Sequence, residues 1–215
     1  MKINKIKKTK VSESSRRWLD RQFKDPYVKK AIDEGYRSRA AYKLIEIDEK
    51  FNLIDDTERI IDIGAAPGGW SQVLAQRSHA NAKITAIDLQ EIAPINDKVK
   101  RFIGDFEDEQ LQKQIMDYFE NKHADLIVSD MAPATLGHRQ SDHLRIMRLV
   151  ESAYSFTQTF LKKGGSFVAK IFQGGEEKAF FDIVKGQFEI VRFFKPKASR
   201  TESVEIYIVA IEYIG

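Results

Sequence analysis

The chain of 215 residues is predicted to adopt an α/β fold built around one mostly parallel sheet. Short β-branched runs alternate with helical patterns along the sequence, which indicates parallel strands joined by helices. Three of these runs lead into an acidic residue at a turn, namely Asp88, Asp105 and Asp130. Because 42% of the residues are hydrophobic, the chain can bury one substantial core.

Helices are predicted first, at the N-terminal end of the chain. Residues 1–13 are rich in lysine and are expected to form a disordered basic tail. Cap-forming residues then precede a helix expected from Ser15 to about Glu34, and a second helix is expected over Ser38–Phe51. These helices open a single domain that we expect to extend over residues 14–215.

The most informative segment is IIDIGAAPGGW at residues 60–70. An apolar strand there leads into a loop of small residues, whose glycines would let backbone N–H groups approach a ligand. The spacing differs from the dinucleotide pattern GxGxxG, and Pro67 has no amide hydrogen to donate to a pyrophosphate. An S-adenosylmethionine loop therefore fits better than a dinucleotide loop, and the alternative is a tight turn that binds nothing.

The next two strands place carboxylates where a nucleoside could be held. Lys83–Asp88 ends in Asp88, which lies about twenty residues after the glycines, where an acidic residue can accept hydrogen bonds from ribose hydroxyls. Val99–Ile103 leads to Asp105 and Phe106, which could accept the adenine amino hydrogens and pack on the base. An ordinary turn-capping role is the alternative for Asp88.

The remaining elements complete the alternation of strands and helices. We expect the glycine pair at 164–165 to end a long helix as a C-cap. The expected elements are a helix starting near Ser71 and reaching Ala80, a strand over Asp125–Val128, a helix over Asp142–Leu161, a strand over Gly165–Phe172, a helix over Glu176–Lys185, and strands over Phe188–Phe194 and Glu205–Glu212.

Six motifs occur in the order and spacing of one enzyme family. They are SRAAYKL (38–44), DIGAAPGGWSQ (62–72), GDF (104–106), SDMAP (129–133), GGSFVAKIFQG (164–174) and EIYIVA (205–210). Through them the chain, over about Ser14–Ala210, resembles the FtsJ/RrmJ (RlmE) family of ribosomal RNA ribose 2′-O-methyltransferases. The resemblance implies a Rossmann-like, S-adenosylmethionine-dependent methyltransferase fold with seven strands, the last one antiparallel, and helices on both faces.

The resemblance also implies site residues. The family's catalytic tetrad falls, motif by motif, on Lys43, Asp130, Lys170 and Glu205. The cofactor-binding residues expected from the motifs and the loops are Gly64, Ala65, Pro67, Gly68, Trp70, Asp88, Leu89, Asp105, Phe106 and Asp130. For Trp70, a packed core aromatic is the alternative interpretation.

Lys170 is the expected base for the ribose hydroxyl. A base must be neutral, whereas an ordinary lysine amine is almost fully protonated at pH 7. A charged Lys170 would instead steer the hydroxyl, while Asp130 positions the nucleophile or accepts the proton. In that case Lys43 and Glu205 would act as orienting partners.

Positive charge is concentrated at the N-terminal end of the chain. Residues 1–43 contain 14 Lys and Arg against 5 Asp and Glu, whereas the rest of the chain contains 21 against 27. Aromatic side chains among these cations favour contact with RNA over a merely solvated helix. The residues predicted to contact RNA are Arg16, Arg17, Arg37, Arg39, Lys197 and Arg200.

Composition excludes several classes of site. The chain has no cysteine, so it has no disulfide, catalytic thiol or cysteine-based zinc site, and its four histidines lack the HExxH spacing; no metal is expected. No run reaches the roughly eighteen apolar residues of a membrane span, and the N-terminal segment lacks a signal-peptide core. We therefore expect a cytoplasmic monomer without a membrane partner.

The resemblance implies a substrate as well. It is a uridine in the A-loop of large-subunit (23S-type) ribosomal RNA, within the large ribosomal subunit. The alternatives are a transfer RNA anticodon loop, mitochondrial ribosomal RNA, or a ribosome-assembly factor that binds RNA without catalysis. A nicotinamide-dependent oxidoreductase is disfavoured by Pro67 and by the lack of a second dinucleotide feature.

Overall fold

The structure, a computed structural model, describes residues 25–133, 138–175 and 177–215. Its elements in chain order are α1 (Pro26–Asp33), α2 (Ala41–Phe51), β1 (Arg59–Ile63), α3 (Gly69–Arg77), β2 (Lys83–Asp88), β3 (Val99–Ile103), α4 (Glu109–Tyr118), β4 (Ala124–Ser129), α5 (Arg139–Phe160), β5 (Leu161–Phe172), α6 (Glu177–Lys185), β6 (Phe188–Phe194) and β7 (Glu205–Tyr213).

The seven strands form one sheet in the order β3-β2-β1-β4-β5-β7-β6. β7 runs antiparallel to both of its neighbours, β5 and β6, and the other pairs are parallel. Ile63 lies opposite both Ile87 and Ser129, so the carboxyl ends of β1, β2 and β4 meet at one edge. The predicted fold class is confirmed, and this edge is where open α/β sheets bind ligands.

Apolar side chains are buried on both faces of the sheet because successive strand residues point to opposite sides. On β1, Ile60 packs with buried residues of α2 and α3, including Leu44 and Leu74. Ile61 packs on the other face with residues of α4, α5 and α6, among them Ile115 and Val150. Helices therefore cover both faces of the sheet, as expected.

The long helix ends differently from the prediction. α5 stops at Phe160, and Leu161 already has extended backbone, with φ −86° and ψ 135°. Leu161 pairs with Ala124 of β4, so entry into the sheet ends the helix directly. The predicted glycine C-cap at 164–165 is wrong, because these glycines lie within β5.

Other element boundaries shift by a few residues. The second helix begins at Ala41 rather than Ser38, and α3 spans Gly69–Arg77. Of the first predicted helix, the structure describes only Pro26–Asp33; the rest, and the predicted basic tail, lie outside the described residues. Within the described ranges, no helix has both the length and the apolar character needed to cross a membrane.

One helix, α4, has no counterpart in the sequence prediction. The Asp108 side chain caps it by accepting hydrogen bonds from the amides of Gln110 (2.8 Å) and Leu111 (3.0 Å). Leu111 and Ile115 are one turn apart and both buried. An aspartate cap followed by apolar residues four apart is a recognisable helix signal that could have found α4.

Candidate functional site

A cleft of about 450 Å³ opens beyond the carboxyl ends of the parallel strands. It is formed by the loops that follow β1, β2, β3 and β4, together with the last two residues of β2 and one residue of α5. Its lining residues are Gly64, Ala66, Ile87, Asp88, Leu89, Gln90, Gly104, Asp105, Phe106, Glu107, Asp130, Met131, Ala132 and Leu149.

The glycine loop after β1 is tied to β2. The amides of Gly64 and Ala65 donate to the Ile87 carbonyl at 2.9 and 3.1 Å. Gly64 has φ +75°, and a Cβ there would lie 2.2 Å from Cγ of Met131. Only glycine therefore suits both the backbone conformation and the close approach of the loop after β4.

The Asp88 carboxylate orders the loops at the cleft. Oδ2 accepts a hydrogen bond from the Ala66 amide at 2.9 Å, and Oδ1 accepts one from the Gln90 amide at 2.8 Å. Each oxygen of an ionised carboxylate can accept more than one hydrogen bond, so both retain capacity for a ligand. The turn-capping alternative and a ribose-binding role are thus compatible.

The Arg37 guanidinium joins two loops next to the cleft. It donates to the carbonyls of Pro67 (3.2 Å), Ala93 (2.7 Å) and Pro94 (2.5 Å). The sequence analysis assigned Arg37 to RNA, but these three bonds commit its guanidinium to the loops of the cofactor side. A contact between Arg37 and RNA stays a prediction.

The predicted cofactor residues divide into two groups. Gly64, Asp88, Leu89, Asp105, Phe106 and Asp130 line the cleft, whereas Ala65, Pro67, Gly68 and Trp70 do not. The Trp70 side chain is 3% exposed and donates from Nε1 to the Ala40 carbonyl at 2.8 Å. Its indole is therefore a core aromatic, as in the alternative interpretation, and any cofactor contact by Trp70 would have to come from its backbone.

Four side chains named as a tetrad come together at the border of this cleft. Lys170 Nζ lies 3.1 Å from Oδ1 of Asp130 and donates to the Asp130 carbonyl at 2.6 Å. Lys43 Nζ lies 3.9 Å from the same Oδ1 and contacts both carboxylate oxygens of Glu205, at 2.7 and 2.8 Å. Residues as far apart in sequence as Lys43 and Glu205 thus form one continuous polar cluster.

Tyr207 is a fifth member of the cluster, which the sequence reasoning missed. Its hydroxyl donates to Oδ1 of Asp130 at 2.7 Å, and its ring lies 5.7 Å from that of Trp70. The side chain is fully buried, and burial together with the nearby carboxylates raises its pKa well above the ordinary value. The sequence could have indicated Tyr207, because it lies two residues after Glu205 in a predicted strand and therefore on the same face of that strand.

The environment of Asp130 keeps its carboxylate ionised. Burial alone would raise its pKa, but the positive charges of Lys170 and Lys43 and the Tyr207 hydroxyl outweigh burial and hold the pKa below the usual value. Asp130 is therefore an anion between two lysine side chains. It also lines the cleft, so it joins the tetrad to the predicted cofactor site.

A buried carboxyl also lies close to the glycine loop. Asp62 of β1 is 1% exposed; its Oδ2 accepts a hydrogen bond from the Ser71 hydroxyl at 2.6 Å, while Oδ1 has no hydrogen-bond partner within the described part of the chain. Burial raises the pKa of Asp62 to about 7 against the opposing Ser71 bond, and the charges of Asp130 and Asp88 add to the rise.

Replacing Asp62 with asparagine is expected to change how stability depends on pH. The folded pKa of about 7 exceeds the ordinary 3.8, so the folded wild-type protein binds the proton more tightly. This tighter proton binding stabilises the folded state fully below about pH 4, and the stabilisation is lost as the pH rises to 7. Asparagine does not titrate, so the variant should gain up to about 3–4 kcal/mol relative to wild type over this window.

Urea unfolding at about pH 4.5 and pH 7.5 measures this difference. The control is Asp55→Asn, which removes a carboxylate from an exposed turn. A difference between Asp62→Asn and wild type that is the same at both pH values would contradict the buried, proton-binding state of Asp62.

The residues predicted to contact RNA differ in whether the structure describes them and in how far their side chains are exposed. Arg16 and Arg17 lie outside the described residues. Arg39 pairs with Asp25 and donates to the Ala198 carbonyl, so the two terminal nitrogens of its guanidinium are engaged within the protein, while its buried Nε has no hydrogen-bond partner among the described residues. Lys197 is exposed, and Arg200 is partly exposed on the same loop.

Comparison with known proteins supports the resemblance drawn from the motifs. The FtsJ-like methyltransferase family matches residues 36–213. A protein of Zymomonas mobilis subsp. mobilis named ribosomal RNA large subunit methyltransferase E is 52% identical over 202 residues, which cover 94% of this chain and 90% of that protein. A Rickettsia felis protein of the same name is 48% identical over 216 residues, covering 98% and 93%.

A solved structure is similar too. A crystal structure of a ribosomal RNA methyltransferase from Plasmodium falciparum superimposes with a TM-score of 0.75 and 32% sequence identity, covering 84% of this chain and 100% of that one. The family match spans most of the chain, including all four tetrad positions. The resemblance is confirmed: the chain belongs to the FtsJ-like methyltransferase family.

Proposed function

We propose that the protein is an S-adenosylmethionine-dependent methyltransferase that modifies the ribose 2′-hydroxyl of a uridine in the A-loop of large-subunit ribosomal RNA. The observation that carries this proposal is that Lys43 and Lys170 both lie close to the Asp130 carboxylate, which lines the cleft. The names of the bacterial relatives support the choice of large-subunit ribosomal RNA.

The cleft suits a nucleoside cofactor in size and chemistry. Its volume of about 450 Å³ is typical of small-molecule sites. Asp88 and Asp105 offer acceptors for ribose and adenine hydrogens, and the buried ring of Phe106 offers an apolar surface. At the β4 side, the anionic Asp130 favours a positively charged group. S-adenosylmethionine supplies, when bound, a methyl group activated by a sulfonium centre.

In this proposal Lys170 removes the proton from the ribose hydroxyl. Lys170 is 6% exposed, and its Nζ donates a hydrogen bond to the Asp130 carbonyl, so the position of the amine is defined before the substrate arrives. To act as a base, Lys170 first loses a proton to solvent; the neutral amine then accepts the hydroxyl proton at Nζ and becomes an ammonium again, whose charge the Asp130 carboxylate balances. Lys43, held by Glu205, adds a second cation beside the reacting oxygen.

The remaining assignments are proposals of the same kind. We propose one methyltransferase domain over residues 14–215 that follows a basic tail and acts as a cytoplasmic monomer on the large ribosomal subunit. The match of the family to residues 36–213 supports a single domain.

Mapping of 2′-O-methyl groups tests the proposed function. Purified protein and S-adenosylmethionine are incubated with unmethylated large ribosomal subunits, free large-subunit ribosomal RNA or transfer RNA, and the modified positions are mapped. We expect one new 2′-O-methyluridine in the A-loop. Methylation confined to transfer RNA would overturn the substrate, and no transfer to any RNA by a protein that binds the cofactor would indicate a non-catalytic RNA-binding factor.

A further inference from the structure

The loop between β2 and β3 forms part of the wall of the cofactor cleft. It spans residues 89–98, all of which the structure describes, and it contains no helix or strand. Its first two residues, Leu89 and Gln90, line the cleft. We infer that two arginines outside this loop, Arg37 and Arg101, position it for the cofactor and thereby set the affinity for S-adenosylmethionine. This inference rests on the proposed function.

Three consecutive carbonyls of the loop accept hydrogen bonds from the two guanidiniums. Arg101 of β3 donates from Nη1 to the Ile92 carbonyl at 2.7 Å. Arg37 donates to the carbonyls of Ala93 and Pro94 at 2.7 and 2.5 Å. In the part of the chain that the structure describes, no other hydrogen bond holds the backbone of these three residues. The orientation of their peptide groups therefore depends on side chains from two other segments of the chain.

Arg37 also reaches the glycine loop that follows β1. Its Nη1 donates to the Pro67 carbonyl at 3.2 Å. Gly68 has φ +109°, and a Cβ there would lie 2.7 Å from Nη1 of Arg37 and 3.2 Å from Cδ1 of Ile95. Glycine at this position leaves the space in which the arginine side chain lies. One guanidinium thus joins the glycine loop to the loop at residues 89–98.

The backbone that carries Arg37 is itself fixed on α3. The Arg37 amide donates to Oε1 of Gln72 at 2.8 Å, and Nε2 of Gln72 donates to the Gly35 carbonyl at 2.9 Å. Three residues after Arg37, the Ala40 carbonyl accepts a hydrogen bond from Trp70 at 2.8 Å. The segment is therefore bonded to α3 on both sides of Arg37, so the guanidinium reaches the loop from a defined starting position.

The loop matters to the cofactor because of what it places in the cleft. Leu89 is 74% exposed, so packing within the protein does little to hold its side chain. The Gln90 amide donates to Oδ1 of Asp88, the carboxylate proposed to bind the ribose. A loop that leaves its binding conformation lowers the affinity for a ligand in proportion to the time it spends elsewhere. Neither Arg37 nor Arg101 lines the cleft, so both act as positioning residues.

Replacing Arg37 with lysine or glutamine, and Arg101 with glutamine, tests the inference in the full chain. Calorimetry with S-adenosylhomocysteine should show an affinity about tenfold lower in each variant, the loss expected if the loop keeps its binding conformation about a tenth of the time. At saturating S-adenosylmethionine, kcat and KM for unmethylated large ribosomal subunits should stay close to the wild-type values. Arg37→Lys keeps the charge that an RNA phosphate would need, but it lacks the planar fork that spans the carbonyls.

Proteolysis of the cofactor-free protein measures the loop directly and requires neither RNA nor activity. Glu91 is an exposed residue of the loop. A glutamate-specific protease should cut after Glu91 faster in each variant than in wild type, because local opening exposes the backbone to the protease. Saturating S-adenosylhomocysteine should slow this cut. Cleavage at glutamates elsewhere in the chain is the internal reference and should be unchanged.

Arg192→Gln is the matched control. Arg192 is an exposed arginine of β6, at the edge of the sheet opposite β3, and its guanidinium donates to the adjacent Val191 carbonyl. This variant should bind S-adenosylhomocysteine and resist cleavage after Glu91 as wild type does.

Two results would overturn the inference. One is unchanged cofactor affinity and unchanged cleavage after Glu91 in both Arg37→Gln and Arg101→Gln. The other is wild-type cofactor affinity in Arg37→Gln together with a higher KM for the subunits and a flatter salt dependence, which would make Arg37 an RNA contact. In either case cofactor binding and subunit methylation by wild type would still uphold the proposed function.

Discussion

Replacing Lys170 with alanine or with arginine is expected to lower kcat by about 10²–10⁴-fold, the range that general acid–base groups contribute. Alanine removes the amine, and arginine keeps the charge but cannot release a proton within a protein. Cofactor affinity, measured by calorimetry, should stay nearly unchanged, because Lys170 does not line the cleft. Single-turnover methylation of large ribosomal subunits measures the rate.

Lys163 provides the control for this experiment. It is an exposed lysine on the same strand, so Lys163→Ala and Lys163→Arg remove or alter the same group without touching the tetrad. Thermal unfolding shows whether Lys170→Ala still folds; Asp130 keeps Tyr207 and Lys43 as partners in that variant. A substantial rate in Lys170→Arg would mean that Lys170 acts through charge and orientation, and the base would then be Asp130 or water.

Replacing Asp88 with alanine is expected to weaken S-adenosylmethionine binding by at least about tenfold, because each charge-assisted hydrogen bond is worth roughly 1.5–3 kcal/mol. Part of this loss would come from the loops, since Asp88 also accepts hydrogen bonds from the amides of Ala66 and Gln90. Affinity alone does not separate these two causes. A comparison of cofactor analogues does.

S-adenosylhomocysteine and its 2′-deoxyadenosine and 3′-deoxyadenosine analogues form the comparison. If Asp88 binds the ribose hydroxyls, wild type should bind at least one deoxy analogue more weakly, and Asp88→Ala should bind all three about equally. Asp55→Ala, which removes an exposed carboxylate from a turn, should behave as wild type. The same preference for the full ribose in Asp88→Ala would rule out the ribose assignment and leave Asp88 as a loop-ordering residue.

The strands near the site could be predicted from the sequence because their signal is local. β2 and β3 have the predicted bounds, and β4 differs from its prediction by one residue at each end. Buried strands are short β-branched runs that end at turns, and both features belong to neighbouring residues. The carboxylates of Asp88, Asp105 and Asp130 were found for the same reason, since parallel strands deliver their ends to one edge.

Boundaries set by partners elsewhere in the chain were predicted wrongly. The glycines at 164–165 resemble a helix C-cap, yet Leu161 pairs with Ala124 and starts the strand before them. Glycine permits a helix to end but does not compel it. The hydrogen bonds of an adjacent strand decided the conformation of Leu161, and they are not visible in the residues around it.

The sequence by itself determined the fold class and the carboxylates of the cleft, because these follow from local periodicity. The four residues of the tetrad were named through the resemblance that the ordered motifs carry, and their catalytic roles stay predictions. The tertiary structure decided which polar groups remain available for a ligand. Arg37 and Arg39 count equally as cations in the sequence, but Arg37 is bonded to loop carbonyls and Arg39 to a carbonyl 159 residues away along the chain. Tyr207 is fully buried, and a buried hydroxyl needs a partner, which the fold supplies in Asp130. Contacts between residues far apart in the chain likewise occupy the guanidinium of Arg37 and the terminal nitrogens of Arg39, and these contacts are not visible in the residues around either arginine.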